Sequence, residues 1–446
     1  MTLSQIIYRE HQQYSNSIHS LSESDFRQIL VTHHIELQGC PDGFLAAPRH
    51  LALDEHLQAS YFIGADWLIK NELSLIITPK IEKIDFTQML LSALQTDNNE
   101  DVNYFSKCYG IDFDKPVIEA PSVCNILTPL LLIHYISLLE RLVSTGLKKD
   151  YITITENLKG KIKGQILFSQ QLPQNIIPKR EYRTVCRYQT YTEDILANRL
   201  LKKALLFARK MVHIWMQSHS SYSKIQSRIN KLLIAFANVS EKIDIFQVQN
   251  LQNNKLFKTY PDAVRLAKTI LKRYDYSIKK ISESNHSTPP FWIDMSRLYE
   301  MYVLSKLREH YGNNILFQVS GYGGSKADYL HVGEKIVIDA KYKPRYDYSN
   351  GGILPDIREI SGYARDKRIL RRLGAGKDDT EVKCLIIYPK HAFDDVLVNA
   401  PSDNELAALN MDNELTDANS TLWDRAKDIT PFRNFRKINI AVPMLS

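Results

Sequence analysis

At 446 residues the chain is long enough for two or three domains of about 100–200 residues each, and its 44% hydrophobic and 24% charged content is ordinary for a globular protein. A net charge of +7 and a pI near 8.9 permit a polyanionic partner without demanding one. The five cysteines, Cys40, Cys108, Cys124, Cys186 and Cys384, are scattered and lack Cys-x-x-Cys spacing, which argues against a disulfide framework or a zinc site and fits a reducing cytoplasm.

The opening Met-Thr-Leu-Ser-Gln-Ile-Ile has no apolar signal core. The longest apolar run, Ile126 to Leu139, contains Pro129 and His134 and is too short to cross a bilayer, so it is expected to be a buried helix. A soluble, cytoplasmic protein with no membrane partner is the expectation.

The first segment, residues 1–120, reads as a β-rich N-terminal domain. Tyr61-Phe-Ile-Gly-Ala-Asp-Trp-Leu-Ile and Leu73-Ser-Leu-Ile-Ile-Thr-Pro-Lys have strand composition and are separated by Lys70-Asn71-Glu72, a hairpin signal. Helical spacing follows from Ile84, and Asp97 to Asp101 is a polar loop. The adjacent His33 and His34 cannot share one face of a helix or strand and are read as ordinary polar residues.

Residues 121–285 read as a helical, basic middle domain. Leu127 to Leu142, Thr192 to Met216 and Leu256 to Tyr276 carry apolar residues at three- and four-residue spacing, the second opening on Thr192-Glu-Asp as an N-cap with an acidic first turn. Between them Lys159, Lys161, Lys163, Lys179, Arg180, Arg183 and Arg187 are interleaved with glycines and aromatics. Such a patch can neutralise phosphates, with Lys161 and Lys163 as candidates; it serves equally well as a solvated face or a docking surface. Ser282 to Pro290 is a polar, proline-ended linker.

Residues 286–446 have the order αβββαβ of a C-terminal mixed-sheet α/β domain, giving an α+β multidomain chain. Phe291 to Tyr311 is helical in pattern and Ile315 to Ser320 a strand. Two runs, Ala327 to Val332 and Lys335 to Tyr342, form a hairpin about Gly333-Glu334, a pair suited to a two-residue turn with Gly at positive φ. Asp356 is expected to cap a helix running to about Leu373. Glu381 to Pro389 is a buried-type strand, Val398 to Asp428 an acidic insertion, and Lys437 to Val442 a closing strand.

That hairpin is where chemistry concentrates. A two-residue loop sets Asp328 opposite Asp339, on one face and with Cβ atoms roughly 4.5–5.5 Å apart. Lys341, two residues beyond Asp339, shares the face. A three-residue loop would instead oppose Asp328 to Ile338 and turn the carboxylates apart. Two adjacent carboxylates require a counter-charge. Mg²⁺, which takes one or two carboxylates and completes its shell with water and phosphate oxygens, is one answer; a surface network in which Lys341 neutralises both aspartates is the other.

This order, with Asp328…Asp339-Ala-Lys341 on the second and third strands, resembles the PD-(D/E)xK nuclease fold. Ala327 stands where the usual proline precedes the first Asp, and Glu359 stands in place of Gln in a Gln-x-x-x-Tyr pair with Tyr363. The resemblance implies Asp328, Asp339 and the Ala340 backbone carbonyl as ligands of Mg²⁺ or Mn²⁺, and Lys341 as the residue that positions the nucleophile. It gives Glu300, Glu359 and Tyr363 supporting catalytic roles. Lys343, Arg365, Lys367 and Arg368 are phosphate candidates, although helical ion pairs explain the last three equally well.

Over most of its length the chain is similar to the McrC subunit family of 5-methylcytosine and LlaJI-type restriction systems. The residues that carry this are Tyr61-Phe-Ile-Gly-Ala-Asp-Trp, Ile77-Thr-Pro-Lys-Ile, Glu156-Asn-Leu-Lys-Gly-Lys-Ile, Cys186-Arg-Tyr, Thr192-Glu-Asp…Asn198-Arg-Leu-Leu and Asp356-Ile-Arg…Gly362-Tyr-Ala-Arg. The resemblance implies a metal-dependent type II/IV restriction endonuclease that cuts double-stranded DNA, docks on a McrB-like AAA+ GTPase hexamer and stimulates it. The chain has no phosphate-binding loop of its own, since Gly374-Ala-Gly-Lys-Asp lacks the upstream Gly and the hydroxyl. Two other readings stay open: an inactive assembly factor that activates an NTPase partner, and a self-sufficient nuclease.

Overall fold

The computed structural model describes residues 4–15, 21–39, 48–81, 83–93, 104–105, 107–112, 115–216, 222–243, 260–278, 287–343, 353–375, 382–390 and 421–444. The chain divides into two compact units, one made of residues 1–130 and 284–446 and the other of residues 131–283. The N-terminal and C-terminal segments therefore share a unit. The architecture is mixed α and β. No helix among the described residues is long and apolar enough to cross a membrane.

In the first unit, strands β1 (Ser4–Arg9), β2 (Phe62–Ile69), β3 (Leu73–Thr78), β4 (Tyr109–Ile111) and β5 (Phe291–Asp294) make a sheet ordered β1-β3-β2-β5-β4. β1 and β3 are parallel and the other pairs antiparallel. The β2–β3 turn follows the sequence signal, with Asn71 taking φ 64°. Phe291 to Asp294, read as the start of a helix, is instead strand β5. Its backbone is captured by β2 and β4, and the Asp294 carboxylate accepts from the Arg297 N–H at 3.0 Å, so the helix begins at Met295. Gly64 faces this strand with φ 142°, and a Cβ built there would lie 2.1 Å from the Phe291 carbonyl.

The second sheet of this unit contains β6 (Ile315–Ser320), β7 (Lys326–His331), β8 (Ile336–Ala340), β9 (Lys383–Lys390), β10 (Lys427–Asp428) and β11 (Phe435–Ala441), ordered β6-β7-β8-β9-β11-β10. β8–β9 and β9–β11 are parallel. Helix α1 (Met295–Tyr311) precedes the sheet, while α2 (Ile353–Tyr363) and α3 (Lys367–Leu373) lie between β8 and β9 in sequence. The single helix expected over Asp356 to Leu373 is thus two. Asp366 breaks it, its carboxylate accepting the Arg368 and Ile369 N–H groups as the N-cap of α3. Asp356 is not a cap: it lies inside α2, buried and paired with Lys343 at 2.7 Å. Gly374 closes α3 in the left-handed conformation, φ 70°, so the glycine of Gly374-Ala-Gly has a local role as a C-cap.

The second unit holds helices Leu196–Met216, Tyr222–Ala235 and Tyr260–Ile278, and it also holds a sheet that the reading of this region as helical missed. Asp150–Lys159 and Arg183–Thr192 pair antiparallel over ten residues each, with Gln165–Ile166 along the edge. Thr192 ends a strand here and caps no helix, and Asp194 instead forms a two-pronged ion pair with Arg199 at 2.7 Å for each contact. The N-cap reading failed because Thr192 is committed to the ladder opposite Asp150. Lys161 and Lys163 are exposed on the connection between the long strands, and Lys163 Nζ lies 4.1 Å from the Tyr188 ring centroid. The acidic stretch assigned to Val398–Asp428 falls mostly outside the described residues; Leu422–Arg425 is a short helix.

Two tests follow from these contacts. Gly64→Ala should lower the unfolding free energy by at least about 2 kcal/mol in chemical denaturation, because both the positive φ and the carbonyl contact disfavour a side chain. His134 is buried, and burial followed by Arg141 and Arg265 pushes it down to about 4. The unfolded chain then takes up this proton near pH 6.5 and the folded one only near pH 4. Stability is complete above pH 6.5 and falls by up to about 3 kcal/mol as pH drops toward 4. His134→Leu should flatten that part of the pH dependence of the melting temperature.

Candidate active site

The hairpin β7–β8 pairs Tyr329 with Ile338, Leu330 with Val337 and His331 with Ile336, a register whose next step falls on Asp328 and Asp339. The turn itself differs from expectation. It has four residues, Val332 to Lys335, and the positive φ of 53° falls on Lys335, not on Gly333. Side chains and backbone outside the turn explain this. The Glu334 N–H donates to His331 Nδ1 at 3.1 Å, the Val332 N–H donates to the Asn314 carbonyl at 2.9 Å, and the Glu334 carboxylate accepts from the Leu422 and Trp423 N–H groups, both at 3.1 Å. Widening the loop by one residue on each side leaves the register unchanged, so the aspartates stay opposed.

Backbone pairing between β7 and β8 stops one step short of the aspartates, and the Asp328 side chain takes over: its Oδ2 accepts from the Ala340 N–H at 3.0 Å. On the same face, Leu330 and Val337 are buried with Ile353, Ile357 and Ile360 of α2. These isoleucines sit at four- and three-residue spacing and form the apolar stripe that seats the helix. Seating it brings Glu359 and Tyr363, one turn apart, over the charged end of the hairpin.

There Lys341 Nζ lies 2.9 Å from Asp339 Oδ2 and 2.8 Å from Glu359 Oε2. Lys341 forms an ion pair with Asp339 and donates a hydrogen bond to Glu359. The Tyr363 hydroxyl donates to Glu359 Oε1 at 2.7 Å.

Glu300, on α1, reaches the same cluster through a residue that the sequence did not single out. Gln318 Nε2 donates to Glu300 Oε2 at 3.1 Å and to Asp328 Oδ1 at 3.3 Å. Gln318 has φ 49° inside strand β6, a conformation costing a non-glycine residue about 1–3 kcal/mol and found where surrounding structure over-determines it. Tyr104, also unanticipated, donates to Glu300 Oε2 at 2.6 Å, and the Tyr329 hydroxyl donates to the Glu300 carbonyl at 2.7 Å. No local signal could have found Gln318 or Tyr104, since each acts across a distant contact.

The electrostatics follow from crowding carboxylates away from water. Burial, then Glu300 and Asp339, hold the Asp328 carboxyl well above the usual range. Burial raises Asp339 too, opposed by Lys341. Burial pushes Glu300 up to about 7, with the Tyr104 hydrogen bond acting against it. Burial would raise Glu359 as well, but the Lys341 ammonium outweighs it and leaves that carboxyl below its ordinary value. Lys341 is itself raised; burial works against its charge, and Asp339 and Glu359 overcome it. The arrangement is therefore acid-rich, with the Lys341 ammonium inserted between Asp339 and Glu359.

Among the described residues no group of three or more His, Cys, Asp or Glu side chains is placed to hold a metal ion. Two opposed carboxylates and the carbonyl of Ala340 are nonetheless a hard-oxygen donor set of the kind Mg²⁺ accepts, because that ion keeps several waters. The raised Asp328 and Asp339 carboxyls mark a place where a divalent charge would be stabilised.

The phosphate candidates do not all gather here. Lys343 is paired with Asp356. Arg365, Lys367 and Arg368 are exposed at the α2–α3 corner, where Arg365 donates to the Ser361 carbonyl at 3.1 Å. Lys161 and Lys163 belong to the other unit.

A family model described as the McrBC 5-methylcytosine restriction system component matches residues 57–353, two thirds of the chain. The chain belongs to this McrBC family. No match was found among curated proteins. Among solved structures, the McrBC-family chain is similar to one in a half-complex refined from a tetradecameric assembly of Thermococcus gammatolerans McrB AAA+ hexamers with bound McrC. Identity there is 14%, coverage 98% of this chain and 95% of that one, and the TM-score 0.40. It is also similar to a chain of the cryo-EM structure of the Thermococcus gammatolerans McrBC complex, with 13% identity, 68% and 87% coverage and a TM-score of 0.29.

Removing the ammonium tests the ionic design without any assumption about catalysis. In metal-free protein, Lys341→Met should cost about 3 kcal/mol of unfolding free energy, since Asp339 loses its buried partner. The Asp339→Asn/Lys341→Met pair should recover most of that loss in the same denaturation measurement.

Proposed function

We propose that this chain is the DNA-cutting subunit of a McrBC-like restriction system, a metal-dependent endonuclease of the PD-(D/E)xK type that hydrolyses phosphodiesters of double-stranded DNA with Mg²⁺ or Mn²⁺. The observation that carries this reading is the cluster of Asp328, Asp339 and Lys341 at the end of one hairpin, in which Asp328 Oδ2 accepts from the Ala340 N–H at 3.0 Å and Lys341 Nζ lies 2.9 Å from Asp339 Oδ2. Membership of the McrBC family supports the restriction-system context. The partner follows from that context: a McrB-like AAA+ GTPase hexamer, which this chain would dock on and stimulate.

Asp328, Asp339 and the Ala340 carbonyl would hold the cation. When bound, it supplies Lewis acidity toward the phosphoryl oxygens and lowers the pKa of a water. The chain's own residues do the rest. Asp328 is fixed for its role by the Ala340 N–H and by Gln318. Glu359, steadied by Tyr363, holds the Lys341 ammonium beside Asp339, where it orients the attacking water and neutralises charge that develops on the phosphoryl group. Glu300, protonated more readily than an ordinary carboxyl, sits behind Asp328 and tunes its charge. Arg365, Lys367 and Arg368 would meet DNA phosphates.

Asp339→Ala should reduce Mg²⁺-dependent cleavage by about a hundredfold or more while leaving GTPase stimulation intact. The measurement is plasmid cleavage and GTP turnover with and without a McrB-type AAA+ partner. Cleavage that survives the substitution overturns the site. GTPase stimulation without any cleavage by the wild type points to an assembly factor, and cleavage without the partner points to a self-sufficient nuclease.

A further inference from the structure

The stretch Ile77-Thr-Pro-Lys-Ile81 contributes nothing to the carboxylate cluster, yet its lysine is bound to the strand that does. β1 and β3 run side by side to Arg9 and Thr78. Just beyond, the Glu10 N–H donates to the Thr78 carbonyl at 3.0 Å, and the Lys80 N–H donates to Glu10 Oε2 at 2.8 Å. Glu10 is 4% exposed. From this corner Lys80 Nζ donates to the main-chain carbonyl of Tyr342 and lies 4.0 Å from the centroid of the Tyr342 ring. Tyr342 is buried, with its ring 5.5 Å from that of Tyr299 on α1.

Tyr342 directly follows Lys341. The chain leaves β8 at Ala340, so Lys341 and the two residues after it are not held by a continuing strand. The Lys343 N–H donates to the Lys341 carbonyl at 2.7 Å, and anchors from three other elements reach the stretch. The Lys341 N–H donates to the Ile387 carbonyl of β9 at 2.8 Å, Lys343 Nζ donates to Asp356 of α2 at 2.7 Å, and Lys80 reaches the peptide between them. The first two anchors come from the sheet and helix that build the carboxylate cluster. The third comes from the N-terminal sheet, more than two hundred residues earlier in the chain. An ammonium donating to a carbonyl is a charge-assisted hydrogen bond, and it fixes the plane of the peptide it grips. Glu10 keeps that ammonium half-buried and in place by taking the backbone N–H of the same residue.

We propose that Lys80, held by Glu10, is a positioning residue for Lys341: the N-terminal sheet sets the peptide that follows the nucleophile-orienting lysine. The rate of cleavage then depends on a segment that supplies no side chain to the carboxylate cluster. This rests on the nuclease reading above. The same coupling offers a route by which events at the N-terminal sheet change the geometry at Lys341, since tilting that sheet moves the Tyr342 carbonyl with it.

The test uses the full chain, with a McrB-type AAA+ partner and GTP present in the cleavage arm, as wild type and three variants. Lys80→Met removes the ammonium at similar length; Glu10→Gln/Lys80→Met removes both charges, so that no carboxylate is left buried without its cation; Lys80→Arg keeps a cation at the site. Two properties are read: hydrogen exchange of the Lys341–Lys343 amides, and the single-turnover cleavage rate at saturating DNA beside the DNA Kd. In the double variant, exchange at residues 341–343 is expected to rise about tenfold while Leu385–Ile387 keep their protection, and the cleavage rate to fall about tenfold at unchanged Kd. Lys80→Arg should return part of both. Unchanged exchange overturns the proposal, as does raised exchange with an unchanged rate, and so does a loss of rate that merely follows a lower melting temperature of the whole chain. A wild type that never cuts DNA even with the partner and GTP defeats the nuclease reading by itself, and the exchange measurement then still decides whether Lys80 anchors this stretch.

Discussion

The ammonium of Lys341 is the constraint on which the rest of the site depends. Asp328, Asp339 and Glu300 are packed where burial raises all three carboxyls, and among the ion pairs of this cluster the cation is Lys341, held between Asp339 and Glu359. Attraction in a medium poorer in water than the surface is strong, but it offsets the desolvation of the charges only when the geometry is tight. The fold supplies that geometry from two directions. β8 carries Asp339 and ends one residue before Lys341, and α2 brings Glu359 down onto the pair because Ile353, Ile357 and Ile360 must be buried against Leu330 and Val337. The apolar and the ionic halves of the hairpin face are thus one design: the first seats the helix, and the second is completed by it.

A ring of less conspicuous groups keeps the acids in place. Gln318 adopts a strained backbone to bridge Glu300 and Asp328, Tyr104 donates to Glu300, and the Asp328 carboxylate replaces a missing rung of the β7–β8 ladder by taking the Ala340 N–H. Each of these satisfies a carboxylate oxygen that would otherwise be costly to bury. They come from β6, from the segment before β4 and from the hairpin, so the N-terminal and C-terminal parts of the chain both contribute to one cluster.

Much of this was legible locally. The Asp328–Asp339 register follows from period-2 alternation and a symmetric turn, and it persists even though the turn has four residues and places its positive φ on Lys335. The Glu359–Tyr363 pair follows from helical spacing. Other elements were misread because a distant partner overrode the local pattern. Phe291 to Asp294 looks helical but is recruited as a strand by β2 and β4, and Asp150–Lys159 with Arg183–Thr192 form long strands in a region whose neighbours are helices. The alternation of Ile152 and Ile154 is the available local signal, and the ladder between the two strands over ten residues is what makes it a strand.

By itself the sequence determined what spacing places together: Asp339 with Lys341 on one run, Glu359 with Tyr363 on a helix, and the run of matches that marks the McrBC family, while the turn, and with it the face of Asp328, stayed open between two registers. Side-chain periodicity is a property of the local backbone, so these followed without the fold. The tertiary structure alone decided which faces meet. That Glu359 completes the Lys341 ion pair, that Gln318 and Tyr104 hold Glu300, and that Lys80 grips the Tyr342 carbonyl are contacts between residues far apart in the chain. Burial of apolar surface chooses such meetings, and it acts on whole elements at once, beyond the reach of any spacing rule.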